Sequence, residues 1–113
     1  MPMYLHQWRY AQGKELARKM LTEHEDREDE ARASAENFGG KVHFFFFCLG
    51  DYDGLAITEF PSDEHALACL MARCAEGRVA NFSSTPLVAP DGILRAKLMA
   101  RDALGLEPDP PRR

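Results

Sequence analysis

The stretch Val42-His43-Phe44-Phe45-Phe46-Phe47-Cys48-Leu49 decides the fold of this chain. A strand with one face in water alternates polar and apolar residues, whereas a strand covered on both sides is apolar along its length. Residues 42–49 therefore predict a strand with both faces covered. Turn-forming residues follow at 50–54 and a second strand pattern occupies 55–60, so we expect the two strands to form a hairpin.

Outward from this hairpin, the spacing of apolar residues indicates the other elements. Residues 3–10 predict a strand, and one of its faces carries Tyr4, His6, Trp8 and Tyr10. Helical spacing follows Gly13 and resumes before Gly39. Either one long helix crosses the acidic run between them or two helices meet there, and we favour a break. A further helix is capped by Ser62, and its predicted inner stripe is Ala66, Leu67, Leu70, Met71 and Cys74. Residues 79–88 predict the last strand, and residues 90–104 a C-terminal helix.

The order of these elements predicts an α+β fold of the ferredoxin-like type, βαββαβ with an added C-terminal helix. Its four-stranded antiparallel sheet would carry two helices on one face. Since residues 42–49 demand cover on the other face too, we expect a homodimer in which two sheets form a dimeric α+β barrel. The alternative cover is the C-terminal helix. We expect one domain over residues 1–104 and a Pro-rich tail over residues 105–113.

Composition excludes several classes of function. The chain has 113 residues, which suits a single domain, and a net charge of −4 argues against nucleic-acid binding. No apolar run reaches the roughly 20 residues of a membrane span, so no membrane partner is expected. The first residues lack the layout of a secretory signal, which favours a cytoplasmic protein. Three cysteines, an odd number, are expected to be free thiols there.

The middle of the chain carries a distinctive ordered set of motifs: Gly39-Gly40-Lys41, the aromatic strand, Leu49-Gly50-Asp51-Tyr52-Asp53 and Ile57-Thr58-Glu59-Phe60-Pro61-Ser62-Asp63-Glu64. This set resembles the GYD domain family, which is named for the Gly-x-Tyr-Asp turn found here at Gly50, Tyr52 and Asp53. The start, Met1-Pro2-Met3-Tyr4, and Arg27 ahead of an Ala-rich helix resemble it as well, so the likeness covers roughly residues 1–100. The resemblance implies a dimeric, ferredoxin-like barrel in small bacterial proteins without established catalytic residues.

Two regions supply candidate site residues. If the strand face with Tyr4, His6 and Trp8 lines the barrel, it would form an aromatic pocket for a planar apolar ligand with a polar handle. Tyr52 and Asp53, in the hairpin turn, could bind a ligand at the pocket mouth, or their turn could be purely structural. His43, at the start of the aromatic strand, is a further candidate at the mouth. The candidate bases are His6 and Asp53.

Metal, cofactor and nucleophile signals are weak. The histidines show no His-x-His or His-x-x-x-His spacing, and no Gly-rich phosphate loop opens a helix, so neither a metal site nor a cofactor is expected. A haem would need one axial histidine in an apolar cavity, a place that His6 or His43 could take. Cys48 has no basic neighbour in sequence to activate it.

Three functions follow as hypotheses. The favoured one is binding of a small apolar or aromatic molecule between sheet and helices. On the same fold, the alternative is an enzyme that resembles cofactor-independent monooxygenases or isomerases, an analogy of fold alone. A third hypothesis is a structural or interaction protein without a ligand, in which the aromatic strand serves the dimer interface. Whether any reaction is catalysed is left open at this point.

Overall fold

A computed structural model of the chain describes residues 1–10, 13–22, 26–77 and 79–107. Most of the predicted tail, residues 108–113, lies outside the described residues. The elements in chain order are β1 (Met3–Tyr10), α1 (Gly13–Thr22), α2 (Arg27–Asn37), β2 (Lys41–Phe47), β3 (Gly54–Glu59), α3 (Asp63–Ala75), β4 (Val79–Leu87) and α4 (Pro90–Leu104). The predicted order of strands and helices is confirmed, and so is the break between the first two helices.

The four strands form one antiparallel sheet in the order β2-β3-β1-β4. The hairpin strands β2 and β3 are neighbours, and β1 lies between β3 and β4. This order, with α2 and α3 packed on the sheet, is the ferredoxin-like arrangement predicted from the sequence. The fold class is therefore confirmed, together with the added C-terminal helix.

Local signals place both helices that cover the sheet. The carboxylate of Asp26 caps α2 by accepting a hydrogen bond from the backbone N–H of Asp29. At α3, Ser62 Oγ accepts from the backbone N–H of His65, as predicted for a capping serine. The phenol of Tyr4 donates a hydrogen bond to the Asp63 carboxylate, which ties the first turn of α3 to β1.

The covered face of the sheet, the side beneath α2 and α3, holds the core. Tyr4 and Trp8 of β1 are 4% and 5% exposed, and Phe60 just after β3 is 1% exposed. The other buried apolar side chains are Ala35, Val42, Ala56, Ala66 and Val79. The alternation predicted for β1 is confirmed, since its buried and half-buried residues follow one another with period two from Met3 to Trp8.

The inner stripe predicted for α3 is partly wrong. Leu67 and Met71 are 54% and 64% exposed, whereas Ala66 is buried and Cys69 packs against the core. The helix is thus turned so that small side chains face the sheet. We attribute this rotation to the closer approach that small side chains allow.

On the other side of the sheet, here called the open face, the described residues form no covering layer. The strand registers place on it Met3, Leu5, Gln7, Phe44, Phe46, Leu55, Ile57, Thr85 and Leu87. Phe44 and Phe46 are 55% and 57% exposed. Only one of the two faces predicted to be covered is therefore covered within a single chain. The homodimer remains a prediction.

The C-terminal helix α4 leaves the domain instead of packing on it. None of its residues is buried, and the molecule reaches 64 Å along its longest axis but only 28 and 22 Å across. The helix ends at Gly105, whose positive φ of 66° is the left-handed cap expected of glycine. Among the described residues, no helix has both the length and the apolar character needed to cross a bilayer.

Candidate functional site

A cavity lies between the covered face of the sheet and the helices α2 and α3. The sheet and the residue after β3 contribute His6, Trp8, Ala56, Thr58, Phe60 and Phe82, and the helices contribute Ala31, Ser34, Ala66, Cys69, Leu70 and Arg73. The cavity volume is about 50 Å³, and the empty space including the open mouth is about 500 Å³. Apolar and aromatic side chains make up most of the wall.

His6 is the polar centre of the cavity floor. Its ring nitrogens lie 2.7 Å from two hydroxyls, Nδ1 from Ser84 Oγ and Nε2 from Thr58 Oγ1. The imidazole thus bridges β4, β1 and β3, and a neutral ring satisfies both contacts by donating at one nitrogen and accepting at the other. Burial lowers the pKa of His6 to about 4, so the ring is uncharged at neutral pH.

Trp8 forms an aromatic wall with side chains from two other strands. Its ring is stacked on Phe82 with centroids 5.9 Å apart, and it lies 5.7 Å from the ring of Phe45. Phe82 reaches the cavity through a β-bulge, because Asn81 and Phe82 together oppose the single residue Trp8. Asn81 takes a left-handed conformation with φ of 48°, a region that asparagine tolerates better than most residues.

At another part of its lining, the cavity meets a group of charged side chains. Arg73 of α3 lies 3.3 Å from a carboxylate oxygen of Glu30 in α2 and 3.4 Å from one of Glu76. Glu30 is also 3.8 Å from Arg27, whose guanidinium lies 5.1 Å from the centre of the Tyr10 ring. These contacts join α2 to α3 and leave positive and negative charges balanced there.

Comparison with known protein families gives a match for this chain. The model of the GYD domain matches residues 4–96, which is most of the chain. The chain belongs to the GYD domain family. Comparisons with curated proteins and with solved structures gave no match. The family expectation drawn from the motifs at 39–64 is confirmed.

The GYD turn that names the family lies in the connection between β2 and β3, away from the cavity lining. The Asp53 carboxylate accepts a hydrogen bond of 2.9 Å from the backbone N–H of Tyr10, and the Asp53 N–H donates to the carbonyl of Trp8 at 2.8 Å. The Asp53 carbonyl accepts from the N–H of Cys48 at 2.9 Å. Asp53 thereby fastens the hairpin to the end of β1. Tyr52 beside it is half-buried.

The candidate site residues therefore fall into two groups. His6 and Trp8 line the cavity, and Tyr4 packs next to them with its ring 5.9 Å from that of His6. Burial, helped by the hydrogen bond to Asp63, raises the pKa of Tyr4 to about 12, so its phenol stays protonated.

The second group, His43, Tyr52 and Asp53, is not among the lining residues. His43 sits at a bulge in β2, with Nε2 at 3.0 Å from a carboxylate oxygen of Glu59. The two candidate bases, His6 and Asp53, therefore belong to different parts of the molecule. Ligand contacts and catalytic roles for either group stay predictions.

Several lining residues were not singled out from the sequence. Arg73 follows Ala66 and Leu70 at helical spacing, so the spacing alone could have placed this charged residue on the inner side of α3. Thr58 continues the period-two pattern of Ala56 and Phe60 in the same way. Phe82 carried no such signal, because a bulge shifts the period where it stands.

Metal binding gains no support from the geometry. In the part of the chain that the structure describes, no three His, Cys, Asp or Glu side chains come together as a metal site would require. The thiol of Cys69 contacts Ser34 at 3.7 Å, and burial raises the pKa of Cys69. Its sulfur is therefore a protonated, weakly polar part of the cavity wall.

Proposed function

We propose that this GYD domain binds a small, largely apolar or aromatic molecule in the cavity between the sheet and helices α2 and α3. The observation that carries the proposal is the lining itself, in which the rings of Trp8, Phe60 and Phe82 surround a single imidazole. Concave, mostly apolar sites with a few placed polar groups are typical of ligand pockets.

The size of the cavity limits the ligand. By the same measure of cavity volume, one water needs about 10–15 Å³. The 50 Å³ available here therefore suits a small group of about one ring. The remainder of a larger ligand would occupy the mouth, which brings the empty space to about 500 Å³. A single planar ring with a short substituent meets both limits.

The polar handle of the ligand follows from His6. The imidazole is neutral, and the Thr58 hydroxyl bound to it is an uncharged group that can make a further hydrogen bond, so this part of the cavity suits a ligand hydroxyl or carbonyl better than a carboxylate. Both ring nitrogens already contact hydroxyls, and a low pKa makes the ring a weak proton acceptor. These features favour binding over base catalysis.

The chain contains one tryptophan, Trp8, so its fluorescence reports directly on the cavity. We expect p-cresol, a one-ring probe with a hydroxyl, to change the Trp8 emission saturably. Native mass spectrometry of protein purified directly from cells would add the identity of any retained molecule, as a discrete mass above that of the protein.

Two matched variants on α2 test whether the probe occupies the cavity. Ala31 lines the cavity, whereas Ala33, two residues later, is exposed. Ala31→Leu places extra side-chain volume in the cavity and should raise the Kd for p-cresol at least tenfold, while Ala33→Leu should leave it unchanged. Equal affinities in both variants, or no saturable signal from the wild-type protein and no retained mass, would refute the proposal.

A further inference from the structure

Two large apolar surfaces of this chain face solvent. One is the open face, whose Phe44 and Phe46 rings stack on each other with an interplanar angle of 10°. The other is the side of α4 formed by the exposed side chains Ile93, Leu94, Leu98 and Leu104. Neither surface contacts the other within the chain, since α4 points away from the sheet.

The chain exposes more surface than a compact monomer of its size. A compact monomer of 12.7 kDa exposes about 6,200 Å², whereas this chain exposes 8341 Å². Its radius of gyration is 18.9 Å, against about 13 Å for a compact domain of this length. The excess of roughly 2,000 Å² is more than the roughly 800 Å² that each partner buries in a stable complex.

The junction between β4 and α4 holds the helix away from its own sheet. Only Val88 and Ala89 separate the two elements, and Pro90 keeps Ala89 extended, with φ of −65° and ψ of 154°. Val88 packs against Gly92 so closely that a Cβ at position 92 would lie 2.7 Å from its Cγ1. A packed corner of this kind directs α4 away from its own sheet.

We propose that α4 of each molecule packs across the open face of a second copy, so that a homodimer exchanges its C-terminal helices reciprocally. A helix of 15 residues is about 22 Å long, and the axes of four strands span about 14 Å. One helix therefore covers much of the open face. Both unpartnered surfaces are buried by the same contact, whereas direct sheet-on-sheet packing leaves α4 in water.

The chemistry of α4 agrees with this partner. Lys97 and Arg101 lie on the same side of the helix as Leu94 and Leu98, and long basic side chains can lie over the exposed phenylalanine rings. The opposite strip carries Arg95, which forms an ion pair with Asp91 at 3.7 Å. This strip remains in water in the exchanged dimer.

Charge-matched variants of the full chain test the role of α4. Leu94→Glu with Leu98→Glu changes the net charge by the same amount as Arg95→Glu alone, and all three side chains are exposed in the single chain. We expect the double variant to raise the dimer dissociation constant at least 100-fold by native mass spectrometry. Arg95→Glu should keep the wild-type value, and circular dichroism checks that each variant is folded.

Mixing tests which surface α4 contacts. Phe44→Glu with Phe46→Glu should also abolish the dimer, because it places two negative charges on the apolar open face of both copies. A mixture of the two defective double variants restores one intact contact per pair, an unaltered α4 on an unaltered open face, so mixed dimers should form. Their combined mass identifies them.

Each other result overturns the proposal. Dimers that survive Leu94→Glu with Leu98→Glu mean that the sheets pack directly on each other. Loss of both homodimers without mixed dimers means that α4 contacts a different surface. A wild-type protein that stays monomeric at every concentration means that neither surface is covered by a second copy. Ligand binding in the cavity is measured separately and is unaffected by any of these outcomes.

Discussion

The covered face and the open face belong to the same four strands and both carry aromatic residues, yet only the covered face is buried. Aromatic residues occur on both, but Trp8 on the covered face is 5% exposed and Phe46 on the open face is 57% exposed. The alternation of a strand decides only which side a residue takes. Whether that side becomes core depends on the layer above it, which α2 and α3 provide for the covered face alone.

Removing one ring from each face should give the largest difference between the two faces. Phe60→Ala deletes a side chain that is 1% exposed and should lower the free energy of unfolding by about 3–5 kcal/mol. Phe44→Ala removes a ring that is 55% exposed in the single chain, so in dilute protein its cost should stay below about 1 kcal/mol. Urea unfolding of both variants measures the difference.

The stability costs of these two variants should depend differently on protein concentration. The cost of Phe60→Ala should not depend on concentration, whereas the cost of Phe44→Ala should grow with it if a second copy covers the open face. Similar costs for the two variants in dilute protein would mean that the open face is already covered within one chain.

A smaller effect concerns the charge state of His6 on the covered face. The pKa of an exposed histidine is near 6.5, and burial lowers that of His6 in the folded protein to about 4. Between these values the unfolded chain binds a proton that the folded chain does not, so acid favours unfolding. The contribution of a neutral His6 is complete above pH 6.5 and is lost as the pH falls towards 4.

From pH 7 to pH 5 this linkage should cost about 2 kcal/mol of unfolding free energy. His6→Gln keeps a hydrogen-bonding side chain but cannot titrate, so the difference between wild type and variant isolates the histidine. Urea titrations at both pH values measure it. An equal loss of stability in His6→Gln would show that His6 is not protected from protonation by the layer of helices.

The features predicted correctly from the sequence are those encoded by neighbouring residues. The alternation of β1, the Ser62 cap and the C-terminal helix over residues 90–104 each rest on neighbouring positions, and each is present in the structure. The motifs at 39–64 likewise indicated the family. The place of His6 and Trp8 on one buried face followed from period two alone.

The features that the sequence could not predict depend on contacts between distant elements. Leu67 and Met71 of α3 are as apolar as Ala66 and Leu70, and only the packing of the helix on the sheet decides that the first pair is exposed while the second pair lines the cavity. Asp53 was a candidate base, but its partners are backbone groups of Trp8 and Tyr10 more than 40 residues away. Such hydrogen bonds leave no pattern in the local sequence.

The smallest predicted effect concerns the bulge that moves Phe82 onto the covered face. Asn81 holds φ of 48° there, a conformation in which a β-branched residue is strained by about 1–3 kcal/mol. Asn81→Val should therefore lower the free energy of unfolding by about 1–2 kcal/mol, and Asn81→Gly, which adopts this conformation freely, should cost less.

Because Phe82 stacks on Trp8 at 5.9 Å, the fluorescence of Trp8 follows the bulge directly. We expect Asn81→Val to shift the Trp8 emission and to weaken p-cresol binding, while Asn81→Gly keeps both near the wild-type values. If valine changed neither stability nor emission, the left-handed residue would not be what turns Phe82 inward. The division of aromatic residues between the two faces would then rest on the packing of Phe82 against Trp8 and His6 instead of on the backbone of β4.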